Sequence, residues 1–437
     1  MKKKLILLSI FPVFILFQYV VAQDVDYARM IIRDLSSTDM YGRGYVSKGD
    51  ARAAKYIRKE FKSLDLEKYT KKYLQPFDIS VNTFPGKMQL KLNDQWMIPG
   101  KDYIISPEAT SVKGKYDTYL VRYSDLIFGE NWLRILGECK DKFIIIDKTL
   151  PDAEILKKED EERINEIFGF MVMHHEYPAA GTILCINDKP NWRGSTVEGS
   201  KPFFILNTTM KPDDIKSVEI DIENVYYRSY QTHNIIGMIP GKFYPDSFIV
   251  FTAHYDHLGQ MGSSTTFPGA NDNASGVAML LNLAQYYARE ENKPSYSMAF
   301  IALSAEELGL LGANYYADNP VFPLSNISFL INIDLAGNGE DGITVVNGSV
   351  YNSKYELLKN INAAYQYLPQ VKSRGEACNS DHCAFHKKGV KCFFIYTMGG
   401  STAYHDINDT ADSLPLTMFE NYFQLLKSFS DGLQIIY

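Results

Sequence analysis

Residues 247–256 read SFIVFTAHYD. The apolar run 247–253 predicts a buried strand, and His254 and Asp256 follow that strand directly. From residue 234 onward, apolar strands alternate with helices, which predicts a mostly parallel sheet with helices on both faces. Ligands of such open α/β sheets bind beyond the carboxyl ends of the strands. His254 and Asp256 are therefore candidate site residues.

The alternation of predicted elements sets the domain organisation. The predicted strands after 247–253 are 296–303, 327–333 and 391–397, and the predicted helices are 275–289, 310–317, 354–367 and 416–436. Residues 24–75 look helical, and between about 100 and 225 short apolar runs, including 169–173, indicate a small inserted α/β domain. We assign residues 1–22 to a signal peptide, 23–100 and 229–437 to the main domain, and 101–228 to the insertion.

The first 22 residues resemble an export signal in their composition. Residues 2–4 are Lys, residues 5–17 are largely apolar, and residues 20–22 are small enough for cleavage before Gln23. The apolar run is short beside the roughly 20 residues of a spanning helix, so we expect cleavage, no stable membrane insertion, and a periplasmic or secreted protein. The alternative is an uncleaved membrane anchor.

The charge of the chain limits its partners. Cleavage of residues 1–22 removes three Lys and moves the formal net charge from -7 to -10. An acidic exported protein is a poor candidate for binding nucleic acid or an anionic membrane. We therefore expect no nucleic-acid partner.

The cysteines leave the redox question open. The chain contains Cys139, Cys185, Cys378, Cys383 and Cys392. In an oxidising compartment an odd count leaves at least one thiol unpaired or paired between chains. Cys378 and Cys383 are close enough for a local disulfide, although their spacing alone does not show one. No CxxC motif supports a cysteine-based zinc site.

Imidazole and carboxylate side chains follow several of the predicted strands or precede the next helix. The set predicted to meet at one edge of the sheet is His254, Asp272, Glu306, Glu307, Asp334 and His405. Each has an ordinary explanation alone; Asp272, for example, could be only a helix N-cap. Together they supply two imidazoles and several carboxylates, the ligands that a pair of divalent cations needs.

The same segments resemble a known family. The match comprises, in order, 253–257 (AHYDH), 269–276 (GANDNASG), 304–309 (SAEELG), 332–334 (NID), 380–382 (SDH) and 404–405 (YH). This combination is similar to the di-zinc aminopeptidases of metallopeptidase family 28, within the superfamily of transferrin receptor and glutaminyl cyclase. The resemblance covers about residues 30–75 and 230–437, and it implies a zinc exopeptidase fold.

The resemblance implies a role for each matching position. Two Zn²⁺ ions per chain would be held by His254, Asp272 and Asp334 on one side and by Asp272, Glu307 and His405 on the other. Glu306 would be the general base. Asp256 would accept a hydrogen bond from the far nitrogen of His254, and Asp381 and His382 would shape the site from behind.

The insertion resembles, in segments 169–171, 179–183 and 202–205, the protease-associated domain of some family members. That domain would cover the site and limit substrate access. One departure is that residues 376–379 are Glu-Ala-Cys-Asn, where family members often place a substrate-contacting Tyr. Transition-state stabilisation by the protein is therefore unassigned.

The predicted function is an exported zinc aminopeptidase that removes N-terminal residues from peptides. A glutaminyl-peptide cyclotransferase of the same fold is the first alternative, although it usually carries Asp-Ser-Ala in place of Asp272-Asn273-Ala274. A carboxypeptidase or dipeptidase of the family is the second. A receptor-like module without activity is the third, and it predicts loss of ligands that this chain retains.

Overall fold

A computed structural model describes residues 25–127, 129–149 and 156–434. The predicted signal peptide, residues 1–22, lies outside these ranges. Within them, no helix combines the length and the apolar character that crossing a bilayer requires.

The described helices are α1 (Val25–Leu35), α2 (Gly49–Ser63), α3 (Gly129–Glu138), α4 (Lys158–Met173), α5 (Gly276–Tyr287), α6 (Leu311–Asp318), α7 (Asn352–Tyr365), α8 (His382–Lys387) and α9 (Phe419–Leu433). The described strands are β1 (Leu74–Thr83), β2 (Met88–Leu92), β3 (Gln95–Met97), β4 (Tyr103–Ile105), β5 (Val112–Arg122), β6 (Phe143–Asp147), β7 (Gly181–Cys185), β8 (Phe203–Leu206), β9 (Ser217–Ile222), β10 (Val225–Ile239), β11 (Tyr244–His254), β12 (Gly259–Met261), β13 (Thr265–Phe267), β14 (Tyr296–Leu303), β15 (Ile327–Ile333), β16 (Ile343–Val346), β17 (Val371–Ser373) and β18 (Cys392–Thr397).

The main sheet has the strand order β1-β10-β14-β11-β15-β18-β16-β17. Its four central strands, β14, β11, β15 and β18, run parallel to one another. Helices cover both faces, so parallel strands such as β14 and β15 are buried on both sides and read as continuous apolar runs. The predicted mixed α/β fold with a mostly parallel sheet is confirmed.

Alternate residues of β11 show how the two faces are filled. Ile249 and Phe251 pack into the core that contains α5, whereas Phe248 and Val250 pack into the core on the opposite face. This alternation is the period-two geometry of a strand. Helix α5 is almost entirely buried, between the sheet and helices α1 and α9, which explains why its sequence is apolar on most sides.

Two predicted segments differ from the structure. Residues 169–173 were expected as a separate apolar run, but they form the last turns of α4, because the charged half of that helix faces solvent while Ile164 and Met171 are buried. Residues 24–75 were expected to be helical, and they contain α1 and α2 but enter β1 at Leu74. Strands β14 and β15 have the predicted bounds.

Strands between Met88 and Ile222 form a second sheet of order β3-β2-β9-β5-β6-β7-β8-β4. One face of this sheet shares an apolar cluster with α3 and α4, and the other face shares a second cluster with Met261 of β12 and Phe267 of β13. The sequence-based boundary of the insertion, 101–228, and its resemblance to a protease-associated domain stay predictions.

Arg43 connects the N-terminal segment to the loop that leads into α5. Its side chain is fully buried, and its guanidinium donates hydrogen bonds to main-chain carbonyls. The acceptors are Tyr255 (2.8 Å), Leu35 (2.9 Å), Pro268 (2.7 Å), Gly269 (2.7 Å) and Asp272 (3.1 Å). Burial lowers the pKa of Arg43 to about 10, so the guanidinium stays charged at neutral pH. This contact fixes the main chain at Asp272.

We expect Arg43→Met to lower the free energy of unfolding by at least about 3 kcal/mol, because buried carbonyls lose their donors. Arg43→Lys should cost less, since the ammonium retains the charge but reaches fewer acceptors. Urea unfolding followed by circular dichroism measures both. The exposed Arg228 provides the control, Arg228→Met. Equal stability of Arg43→Met and Arg228→Met would refute the assignment.

Candidate metal centre

Parallel strands bring the predicted ligands to one edge of the main sheet. His254 is the last residue of β11, Glu307 follows β14, Asp334 follows β15, and His405 lies in the loop after β18. The carboxyl ends of these strands meet at the same edge. Asp272 reaches that edge from the segment just before α5.

The Asp272 carboxylate lies between two imidazoles. Its Oδ1 is 3.3 Å from His254 Nε2, and its Oδ2 is 3.2 Å from His405 Nε2. Asp334 Oδ1 is 3.4 Å from the same nitrogen of His254. Glu307 Oε2 is 3.2 Å from His405 Nε2. The structure thus brings the five predicted ligand residues together, with Asp272 shared between two groups.

These distances fit metal coordination. Two atoms that bind one Zn²⁺ at about 2.0 Å in tetrahedral geometry lie about 3.3 Å apart. Asp334 Oδ1 is buried without a hydrogen-bond partner, so its lone pairs are free for a cation. His254 Nδ1 lies 3.2 Å from the Asp256 carbonyl. When Nδ1 donates to that oxygen, Nε2 presents a lone pair toward Asp272 and Asp334.

The electrostatics of the cavity favour positive charge. Burial opposes protonation of His405, but Glu307 and Asp272 outweigh burial and raise the pKa of His405 to about 11. Burial and Asp272 likewise oppose ionisation of Glu307, but His405 and His257 lower the pKa of Glu307 to about 2. Carboxylates that hold a proton so firmly on an imidazole would also stabilise divalent cations. The residues present therefore fit a metal pair.

Glu306 differs from its neighbour Glu307 in its surroundings. It lines a cavity of about 170 Å³ together with His254, Asp272 and Asp334. One of its oxygens belongs to a cluster with His254 and Asp334 in which the donor atoms lie within 4.8 Å of one another. Burial, together with neighbouring carboxylates, raises the pKa of Glu306 well above its usual range. Its carboxylate faces the cavity.

The structure corrects the predicted contact of Asp256. His254 Nδ1 lies 3.9 Å from the Asp256 carboxylate, beyond hydrogen-bond distance, and the Asp256 carbonyl takes this position instead. The carboxylate accepts hydrogen bonds from the backbone N–H groups of Glu306 (3.1 Å) and Glu307 (3.4 Å). Asp256 therefore positions the two glutamates as well as His254.

The segment 380–382 lies behind the cavity. Asp381 and His382 are fully buried, and His382 Nε2 lies 2.9 Å from the carbonyl of Ala377. Burial raises the pKa of Asp381 to about 8. In this segment, Ser380 contacts a predicted metal ligand directly: its hydroxyl donates to Asp334 Oδ2 at 3.1 Å.

Two further residues support the ligands: His257, which the sequence suggested as a supporting or structural residue, and Asp409, which was not predicted. His257 Nδ1 lies 2.7 Å from Glu307 Oε1. The Asp409 carboxylate accepts from the backbone N–H of Asp272 at 3.0 Å. Residues 272 and 409 are far apart in sequence, and no motif links them. The position of His257 in the segment AHYDH was the only signal for its role.

A segment of the second sheet region, residues 189–192, contacts the loop that carries His405. Lys189 Nζ forms an ion pair with the buried carboxylate of Asp406 and donates to the Thr402 carbonyl at 3.3 Å. The backbone N–H of Trp192 donates to the carbonyl of His405 at 3.1 Å. His405 has a φ of 52°, in the left-handed region that non-glycine residues rarely adopt. The segment 189–192 therefore helps to hold His405 in place.

We expect Lys189→Met to weaken Zn²⁺ binding at the predicted ligand His405 by about tenfold, because supporting contacts of ligands have effects of this size. Competition with a fluorescent zinc chelator measures the affinity. Lys211→Met, at an exposed position, is the matched control. Wild-type affinity in Lys189→Met would mean that the ion pair has no role in positioning His405.

Comparison with known proteins shows which family the sequence resembles. The profile of the family described as Peptidase family M28 matches residues 234–430. Leupeptin-inactivating enzyme 1 of Streptomyces exfoliatus is 31% identical over 159 residues, which are 36% of this chain and 34% of that protein. Aminopeptidase YwaD of Bacillus subtilis is 33% identical over 171 residues, 38% of this chain and 35% of that protein. The matches thus span about a third of the length of these relatives.

Solved structures show the same fold over nearly the whole chain. A peptidase M28 precursor from Shewanella amazonensis superposes with a TM-score of 0.71 at 17% identity, covering 95% of this chain and 94% of that one. BSAP, a zinc aminopeptidase from Bacillus subtilis, superposes with a TM-score of 0.67 at 18% identity, covering 94% and 95%. Residues 234–430 thus match peptidase family M28 in sequence.

Proposed function

We propose that the chain is a zinc-dependent aminopeptidase that uses two Zn²⁺ ions to hydrolyse the N-terminal peptide bond of peptides. The observation that supports this most directly is the position of Asp272, whose two oxygens lie 3.3 Å and 3.2 Å from the Nε2 atoms of two different imidazoles. A carboxylate in this position can bridge two cations. The names of similar proteins, such as aminopeptidase YwaD, favour the same activity.

The ligands divide into two groups around Asp272. His254, Asp272 and Asp334 would hold one Zn²⁺, and Asp272, Glu307 and His405 would hold the other. Ions bound there would polarise the scissile carbonyl and lower the pKa of a water molecule. The Asp256 carboxylate and carbonyl orient Glu307 and His254 for this task.

Glu306 is the general base in this proposal. It faces the cavity between His254 and Asp334, while the adjacent Glu307 points to His405. Glu306 accepts a proton from the attacking water as the new C–O bond forms. It then donates that proton to the leaving amine as the C–N bond breaks.

We also propose that the chain is exported as a periplasmic or secreted protein. The basic and apolar composition of residues 1–17 supports this, as does the disulfide between Cys378 and Cys383. Peptides are the proposed substrates. The second sheet, whose segment 189–192 contacts the His405 loop, would limit access to the cavity as a protease-associated domain does.

We expect Glu306→Gln to lower kcat for leucyl p-nitroanilide by about 10²–10⁴-fold, because the proton acceptor is lost while the ligands are retained. Zinc content, measured by inductively coupled plasma mass spectrometry, should stay near two ions per chain. Wild-type turnover would exclude Glu306 as the base. Loss of zinc would instead make Glu306 a ligand.

Asp272→Asn should bind less than one Zn²⁺ per chain and lose activity, because the bridging carboxylate contributes to both groups of ligands. The wild type should lose activity with phenanthroline and recover it with added Zn²⁺. Asp246→Asn, at an exposed position, is the control and should bind zinc normally. Full zinc occupancy in Asp272→Asn would contradict bridging. Formation of pyroglutamate in place of peptide hydrolysis would favour the cyclotransferase alternative.

A further inference from the structure

The cavity beside the candidate metal ligands is small, and one positively charged side chain in its lining has no role in the proposed function. Its volume of about 170 Å³ is below the roughly 300–1,000 Å³ of most ligand pockets. Its lining includes the acidic residues Asp272, Glu306 and Asp334, which the proposed function uses as ligands or base. Among the lining residues in the described part of the chain, Arg374 is the only Lys or Arg.

The backbone of Arg374 is fixed although its side chain is exposed. It follows directly after β17, which pairs with β16. Its N–H donates to the carbonyl of Val345 at 2.9 Å, and its carbonyl accepts from the N–H of Ser349 at 3.4 Å. The side chain of Arg374, a residue that lines the cavity, therefore extends from a fixed point of the backbone.

The guanidinium of Arg374 has no carboxylate within ion-pair distance among the described residues. The acid nearest to it in sequence, Glu376, lies instead 3.5 Å from His386, measured from Oε1 to Nε2. A guanidinium offers two parallel N–H donors that match the geometry of a carboxylate. Arg374 lines the cavity and has no ion pair among the described residues, so its guanidinium is available to bind an anionic group of the substrate.

We propose that Arg374 binds a carboxylate of the substrate, so that the site prefers peptides with a free carboxylate close to the scissile bond. This inference rests on the proposed peptidase function. A carboxylate so close to the scissile bond has two sources: the C-terminus of a dipeptide or the side chain of an acidic residue. Arg374 also lies near residues 376–379, where the sequence lacks the Tyr that family members often carry.

The experiment compares matched substrates that differ only in a carboxylate. Leu-Gly against Leu-Gly amide tests the C-terminal source, and glutamyl against glutaminyl p-nitroanilide tests the side-chain source. We expect a preference of about tenfold or more in kcat/KM, carried mainly by KM, for the acid in one of these pairs. The pair that shows the preference identifies the source.

Arg374→Gln should reduce that preference to near one and change kcat/KM for leucyl p-nitroanilide less than about twofold. Arg374→Lys should retain part of the preference, since it keeps the charge without the two-pronged geometry. Lys372→Gln, at an exposed position two residues earlier, is the control and should behave as the wild type. The zinc content of each variant confirms that the metal site is unchanged.

The proposal is overturned if neither acid is preferred by the wild type, or if Arg374→Gln keeps the preference. If one of these results is found and the wild type still cuts leucyl p-nitroanilide, the proposed function stands and only the role of Arg374 is refuted. If nothing is cut, calorimetric titration of Leu-Gly and Leu-Gly amide in the Glu306→Gln background still compares the two ligands. The same titration compares glutamyl-glycine amide with glutaminyl-glycine amide. If the two members of each pair bind with equal affinity, Arg374 is refuted as a carboxylate-binding residue.

Discussion

A single buried carboxylate, that of Asp272, faces two imidazole nitrogens at distances of 3.3 Å and 3.2 Å. Its position is fixed through the main chain on both sides. The backbone N–H of Asp272 donates to Asp409, and its carbonyl accepts from Arg43. Arg43 comes from the segment before α2, and Asp409 from the loop after β18. Segments from both ends of the chain thus converge on one residue, and the site depends on the whole fold being formed.

The constraint behind this arrangement is electrostatic. Carboxylates buried side by side repel one another and lose their hydration, so they need cations or protons to be stable. Glu307 and Asp272 raise the pKa of His405, which reflects the same preference for positive charge. Divalent cations would neutralise the same carboxylates more completely and would couple metal binding to folding. Two arginines add positive charge near these carboxylates. Arg43 is buried and donates to the carbonyl of Asp272, and Arg374 lines the cavity.

The main sheet, and the meeting of the candidate ligand residues at one of its edges, could be predicted from the sequence because both depend on local patterns. Strands β14 and β15 are continuous apolar runs, and Asp334 directly follows β15. Other features depend on contacts between distant segments that no local pattern encodes. Asp409 holds Asp272 from a position far along the chain, and Lys189 reaches Asp406 from the second sheet region. The sequence predicted that His254 contacts the Asp256 carboxylate, but His254 contacts the backbone carbonyl of Asp256 instead. Sequence spacing does not distinguish these two groups of one residue.

The central claim is that one carboxylate is shared by two metal ions. Anomalous diffraction at the zinc absorption edge, from crystals of the zinc-loaded protein, tests it most directly. The account predicts two peaks about 3.5–4 Å apart, one beside each oxygen of Asp272. A single peak, or peaks that do not contact Asp272, would contradict it.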